Sequence, residues 1–210
     1  MIKKYSVLIG IMISLAFMLV AVTIYPGGSM FDRSAVGFDL ETNFMSNLLG
    51  ANALNGAENP SRIWACASMI LLPVSYAIFF AHMAKKIPDK NAGYILKYGG
   101  IANILCMFLI VTPLHDLMLN ISITLFWTGI VVVTIFILKT RLHVFKVLCI
   151  TCLVIFYYSI YAWATNDWHL LPIMQKLNFI NSTLLILGLE YFTRQENFAH
   201  IKPRGHKKRT

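Results

Sequence analysis

The chain has 210 residues, 58% of them hydrophobic and 13% charged, with a mean hydropathy of +0.67. A soluble domain carries about twice that charged share. A water-soluble globule and a disordered chain are therefore excluded, and with only 4 Cys so is a disulfide-stapled secreted fold. The net charge of +9 has to be explained within a membrane protein.

Crossing a hydrocarbon core about 30 Å thick takes roughly 20 mostly apolar helical residues. Six segments meet that demand in chain order. The first, residues 5–25, carries no charge. The second, residues 60–84, follows Asn59-Pro60, a cap followed by a residue suited to the first helical position. The third spans 95–112 and leaves at Pro113, the fourth spans 116–138 and the fifth 143–163. The sixth, 170–192, is the most polar, with Lys176, Asn178, Asn181 and Glu190. The expected fold is all-α, a six-helix transmembrane domain over residues 1–193 followed by a basic cytoplasmic tail at 194–210. The first helix begins behind Lys3-Lys4, yet its apolar run exceeds the 7–15 residues of a signal-peptide core, so a retained anchor is expected.

Charge sets the orientation. With the N-terminus inside, every Lys and Arg except Arg33, Arg62 and Lys176 falls on the cytoplasmic side. This predicts a multi-pass protein of the cell (inner) membrane with both termini cytoplasmic. The positive charge, including the tail from Lys202 to Arg209, then reads as orientation signal and attraction to anionic membrane lipids, with no nucleic-acid partner. The thiols Cys66, Cys106, Cys149 and Cys152 all fall inside helices, and the Cys149-x-x-Cys152 pair in an apolar helix reads as two small buried hydrophobes rather than a redox motif. Tyr157, Tyr158, Tyr161 and Trp163 read as an interfacial aromatic belt. Gly99-Gly100 reads as a close-packing point and His82 as an interface histidine.

One connection is long, the outer loop at residues 26–59. Leu40, Phe44, Met45, Leu48 and Leu49 recur at helical spacing between a capping Asp39 and a terminating Gly50. The pattern predicts a short amphipathic helix lying on the outer surface or over the bundle mouth.

The same loop resembles a known family. Tyr25-Pro26-Gly27-Gly28, then Gly37-Phe38-Asp39, then Thr42-Asn43-Phe44-Met45-Ser46-Asn47-Leu48-Leu49-Gly50 is similar to the first extracellular loop of the DUF998 family, with Asn47 in place of an Asp and one extra Leu. Pro113 with His115 is a second similarity. The resemblance implies a small multi-pass prokaryotic membrane protein and supplies no activity.

Polar residues concentrate toward the predicted outer side. His115-Asp116 opens the fourth helix and Asn166-Asp167-Trp168-His169 precedes the sixth. Gln175, Asn178, Asn181 and Ser182 share one helical face. His115 and His169, with Asp116, Asp167 or Asp39, supply the ligand types zinc accepts, and a zinc-bound water can hydrolyse an ester or amide. On this reading His115, Asp116, Asp167 and His169 carry chemistry, while Asp39, Glu41, Asn43, Ser46, Asn178 and Asn181 hold a lipid or small amphiphile. A second reading makes Asp116 and Asp167 helix caps and the two His interface residues. No HExxH, phosphate loop, GxGxxG or GxSxG occurs. A transporter or channel lined by Lys176, Asn178, Asn181 and Glu190, or a non-catalytic subunit docking a partner through the loop, are the competing functions.

Overall fold

The computed structural model describes residues 2–110 and 112–201, without the side chains of Ile2, Lys3 and His115. The His115 imidazole and the tail at 202–210 thus lie outside the described residues. Six α-helices form in order: α1 (Ile2–Thr23), α2 (Ser61–Lys86), α3 (Lys90–Leu109), α4 (His115–Leu138), α5 (His143–Ala164) and α6 (Leu171–Phe192). Helices α1 to α5 are long and apolar enough to cross a membrane. The sixth has 22 residues but interrupts its apolar run with Lys176 and Glu190, and it is not among those five.

Local chemistry explains where the helices begin. Asn59 Oδ1 accepts from the Ser61 backbone N–H at 3.2 Å and from the Ser61 hydroxyl, so α2 opens on the expected cap. Helix α3 starts at Lys90 rather than at 95. Asp89 stands outside it in extended conformation and its carboxylate accepts from Ala92 N at 2.9 Å, extending the helix past the apolar stretch. Helix α4 opens differently from expectation. Leu114 occupies the cap position without a side-chain bond, and Asp116 lies inside the first turn, where its charge complements the positive end of the helix.

The chain divides into two compact units. Unit 1 comprises Met1–Val7, Pro73–Ile150 and Leu185–Thr210, and unit 2 comprises Leu8–Leu72 and Thr151–Leu184. In unit 1, α3 and α4 pair through the Ser122 hydroxyl, which donates to Asn103 Oδ1 at 2.5 Å; both residues are buried. Small residues let backbones approach closely. A Cβ added at Gly100 would lie 3.1 Å from Ala77 Cα, while at Gly99 it would meet nothing within 4 Å, so one of the two glycines makes the close contact. Beyond α6 the chain turns through a 3-10 helix at Gln195–Phe198 and buries Phe198 completely, so unit 1 continues into the segment expected to be tail.

In unit 2 the core is Met18, Ala21, Tyr25, Leu48, Ala53 and Ala65, with Phe38, Met45 and Leu49 packed against it. Leu48, Ala53, Phe38, Met45 and Leu49 come from the long loop, which therefore folds as part of the unit. Ser14 and Ser68 hydrogen-bond at 2.9 Å between α1 and α2. The Tyr157, Tyr158, Tyr161 and Trp163 side chains are exposed on α5, as a belt requires. Cys149 of unit 1 and Cys152 of unit 2 are fully buried and outside any disulfide, as expected of small buried side chains.

Candidate functional site

The loop of unit 2 is built from turns rather than from the expected amphipathic α-helix. Only Met45–Leu49 is helical, as a 3-10 turn, and it ends at Gly50. Short polar side chains explain the difference by taking the backbone donors a helix would use. Asp39 Oδ1 accepts from Glu41 N at 2.8 Å and Asp39 Oδ2 from the Thr42 hydroxyl at 2.8 Å. Asn43 Oδ1 accepts from Asp39 N at 2.9 Å, and Asn47 Oδ1 from Phe44 N at 2.7 Å. The bonds from Glu41 N and Thr42, with the charge of Lys176 adding to them, hold the Asp39 carboxyl below its usual pKa.

Asn43 is 1% exposed and its amide donates to Gly28 O at 2.8 Å, locking the middle of the loop to its start. Gly27 and Gly28 have φ of 134° and 81°, and Gly28 N donates to Ala35 O at 2.7 Å. Asn59 ties down the other end, donating to Leu48 O at 3.1 Å and to Gly50 O at 2.9 Å. Two α6 side chains then hold the loop. Gln175 Oε1 accepts from Met45 N at 2.8 Å, and the Lys176 ammonium donates to Asn43 O at 2.6 Å, 5.7 Å from the centre of the Phe38 ring.

The sequence-predicted residues sort accordingly. Asp39 and Asn43 are spent on the loop's own folding. Glu41 is exposed and Ser46 half-buried on the same segment. Asp167 Oδ1 accepts from Leu170 N at 3.2 Å, a cap-like role just before α6. His169 stacks on Phe31 with ring centres 4.0 Å apart and planes 13° from parallel. Asp167 and His169 belong to unit 2, and His115 and Asp116 to unit 1. Among the described residues no group of three or more His, Cys, Asp or Glu is placed to hold a metal ion.

Asn178 and Asn181 behave differently. Asn178 Nδ2 donates to the Ser159 hydroxyl of α5 at 2.5 Å, but its Oδ1 is buried without a partner among the described residues. Asn181 Nδ2 is likewise buried and unpartnered. An acceptor and a donor, each costing about 1–3 kcal/mol if left dry and unpaired, stand three residues apart on the α6 face that carries Gln175.

No family model, curated protein or solved structure matches this chain. The likeness of the loop to DUF998 therefore rests on the residues quoted above, and function has to be argued from the side chains.

Unit 1 holds a polar cluster that sequence reading divided. Glu190 appeared there only as a lining residue for transport and His82 as an interface residue. The structure brings them together: His82 Nδ1 lies 2.6 Å from Glu190 Oε1. The Lys86 ammonium donates to Glu190 O at 2.9 Å and to the Thr193 hydroxyl at 3.3 Å. The partners are 108 residues apart in sequence, so no local spacing could have signalled the pair. The signal that existed was chemical, an ionisable residue within a segment expected from sequence to cross the membrane.

Proposed function

We propose that this is a multi-pass membrane protein that binds the uncharged polar headgroup of a lipid or small amphiphile in unit 2, on the α6 face carrying Asn178 and Asn181. In this reading α6 is the sixth span, both termini are cytoplasmic and the folded loop lies outside, in the manner of the DUF998 family. One observation carries the reading: the unpartnered acceptor Asn178 Oδ1 and donor Asn181 Nδ2 on the same face. A hydroxyl or amide headgroup donates to the first and accepts from the second. A carboxylate has no proton to donate, and a hydrocarbon satisfies neither. The loop, pinned to α6 by Gln175 and Lys176, fixes this end of the helix. Hydrolysis is not part of the proposal, because Asp39, Asn43 and Asp167 hold backbone groups and His169 is stacked.

Ligand linkage tests it. A monoacylglycerol at 100 times its Kd stabilises a single-site protein by about 2.7 kcal/mol. Thermal unfolding of delipidated protein is expected to shift upward with monoacylglycerol and much less with the chain-matched fatty-acid methyl ester, which cannot donate. Asn181→Leu is expected to weaken the monoacylglycerol shift, since it deletes the donor the headgroup oxygen accepts from, while the preference for a donating headgroup rests on Asn178 Oδ1. The ligand-free variant should be at least as stable, because an unpaired buried donor is gone. Equal shifts for both amphiphiles, or an undiminished monoacylglycerol shift in Asn181→Leu, would contradict the reading.

A further inference from the structure

The His82–Glu190 contact lies in unit 1 and has no part in headgroup binding, so it needs its own explanation. The Glu190 side chain is 7% exposed, and its Oε2 is buried with no hydrogen-bond partner among the described residues. His82 is 33% exposed and lies one helical turn before Lys86, at the end of α2. An ionised carboxylate with one oxygen left dry is costly inside a bundle, and such residues at membrane depth mark ion or proton pathways by default.

The surroundings decide which ion fits. A metal cation would need several oxygen or nitrogen ligands. Beside the pair stand Thr193, whose hydroxyl already donates to Leu189 O at 2.6 Å, and the Met83 sulfur near it. The 2.6 Å approach of Nδ1 to Oε1 leaves room for a hydrogen and nothing larger. The charged groups facing Glu190 are His82 and Lys86 of α2. From α1, Tyr5 lies against Tyr191 with the Lys4 ammonium 5.6 Å from its ring centre. From α5, Phe145 meets Gly188, two residues before Glu190 and on a different face of α6, with an apolar ring.

We infer that His82 and Glu190 form a proton-exchange site opening at the Lys85–Lys86 end of α2. In the deprotonated form His82 carries its hydrogen on Nδ1 and donates it to the Glu190 carboxylate. An arriving proton binds the Nε2 lone pair, and the Nδ1 hydrogen passes to Oε1. The product is a neutral imidazole protonated on Nε2, accepting at Nδ1 from a carboxylic acid. One proton enters and forms the Nε2–H bond, the Nδ1–H bond breaks, the Oε1–H bond forms, and the pair gains one unit of positive charge. Oε2 then becomes a neutral carbonyl oxygen, which tolerates burial far better than half of a carboxylate. The Lys86 charge beside the pair balances the deprotonated form.

Infrared difference spectroscopy on the full-length protein in lipid, with all glutamates carbon-13 labelled at the carboxyl, tests the site directly. Glu41, Glu58 and Glu196 are exposed, so Glu190 is the buried glutamate in the described chain. On acidification from about pH 8 to about pH 5, where a histidine partner exchanges protons, an isotope-shifted carboxylic-acid band is expected in the wild type and lost in Glu190→Gln. His82→Gln, which keeps a polar partner but cannot relay, is expected to displace the pH at which that band appears. Label-free histidine nitrogen resonances should show the hydrogen moving from Nδ1 to Nε2 over the same range, which keeps the test open should Glu190→Gln fail to fold. A wild type without the band and with a fixed His82 tautomer would overturn the inference, as would a band indifferent to His82→Gln.

Discussion

Gly28→Ala is expected to unfold the loop of unit 2 and to destabilise the protein by more than about 4 kcal/mol, the size reserved for severe steric or backbone lesions. Two costs add. At φ 81° an alanine Cβ is strained by roughly 1–2 kcal/mol. The Cβ would also land on the backbone of the next strand of loop, 2.5 Å from Leu54 C and closer still to Asn55 N, and backbone cannot rotate aside as a side chain can. Gly37 and Gly56 are internal controls. Their φ values of 76° and 89° are similar, but nothing lies within 4 Å of an added Cβ. Alanine there should cost only the strain, about 1–2 kcal/mol. Thermal midpoints and rates of proteolytic nicking between residues 26 and 60 check the ranking. A Gly28→Ala protein that melts and resists protease like Gly37→Ala would mean that the loop lacks the described fold.

Asn43→Ala is expected to lower stability by about 1–3 kcal/mol, because it strands the buried Gly28 carbonyl and frees the part-buried Asp39 N–H. Those groups are Gly28 O and Asp39 N, bonded to the Asn43 amide at 2.8 Å and 2.9 Å. Asn43→Asp should be nearly as damaging, since the isosteric carboxylate cannot donate to Gly28 O. Glu41→Ala, at an exposed position on the same segment, should stay within about 0.5 kcal/mol. The contrast separates a structural asparagine from a ligand-binding one. An Asn43→Ala protein of unchanged melting temperature but lost monoacylglycerol response would return Asn43 to the binding residues and contradict its role as a loop lock.

Apolar run length is enough to place α1 to α5, the five helices long and apolar enough to cross a membrane, while α6 with Lys176 and Glu190 is the weaker pattern. The α3 start lies five residues before the apolar run because hydropathy does not see a cap: Asp89 holds the first turn although Lys90 and Asn91 make it polar. The loop was harder. Its apolar spacing at Leu40, Phe44, Leu48 and Leu49 is helical, but Asp39, Asn43 and Asn47 bond backbone groups locally and win over the period. The glycines at 27 and 28 were read as part of a family motif, while their positive φ and the carbonyl that Asn43 caps needed the fold. Asn178 and Asn181 were legible as polar residues in a helix. That one buried atom of each lacks a partner among the described residues depends on what the fold packs against them, which for the Asn178 amide is the Ser159 hydroxyl of α5. His82 and Glu190 come from two helices with most of the chain between them, and only packing unites them.

The central claim is that the α6 face of unit 2 holds an uncharged amphiphile headgroup, and native mass spectrometry of the protein released from mild detergent tests it most directly. The wild type should carry a bound monoacylglycerol mass in preference to the chain-matched methyl ester, and Asn181→Leu, equally folded, should retain less monoacylglycerol than the wild type. Equal retention of both amphiphiles by wild type and variant would contradict the account.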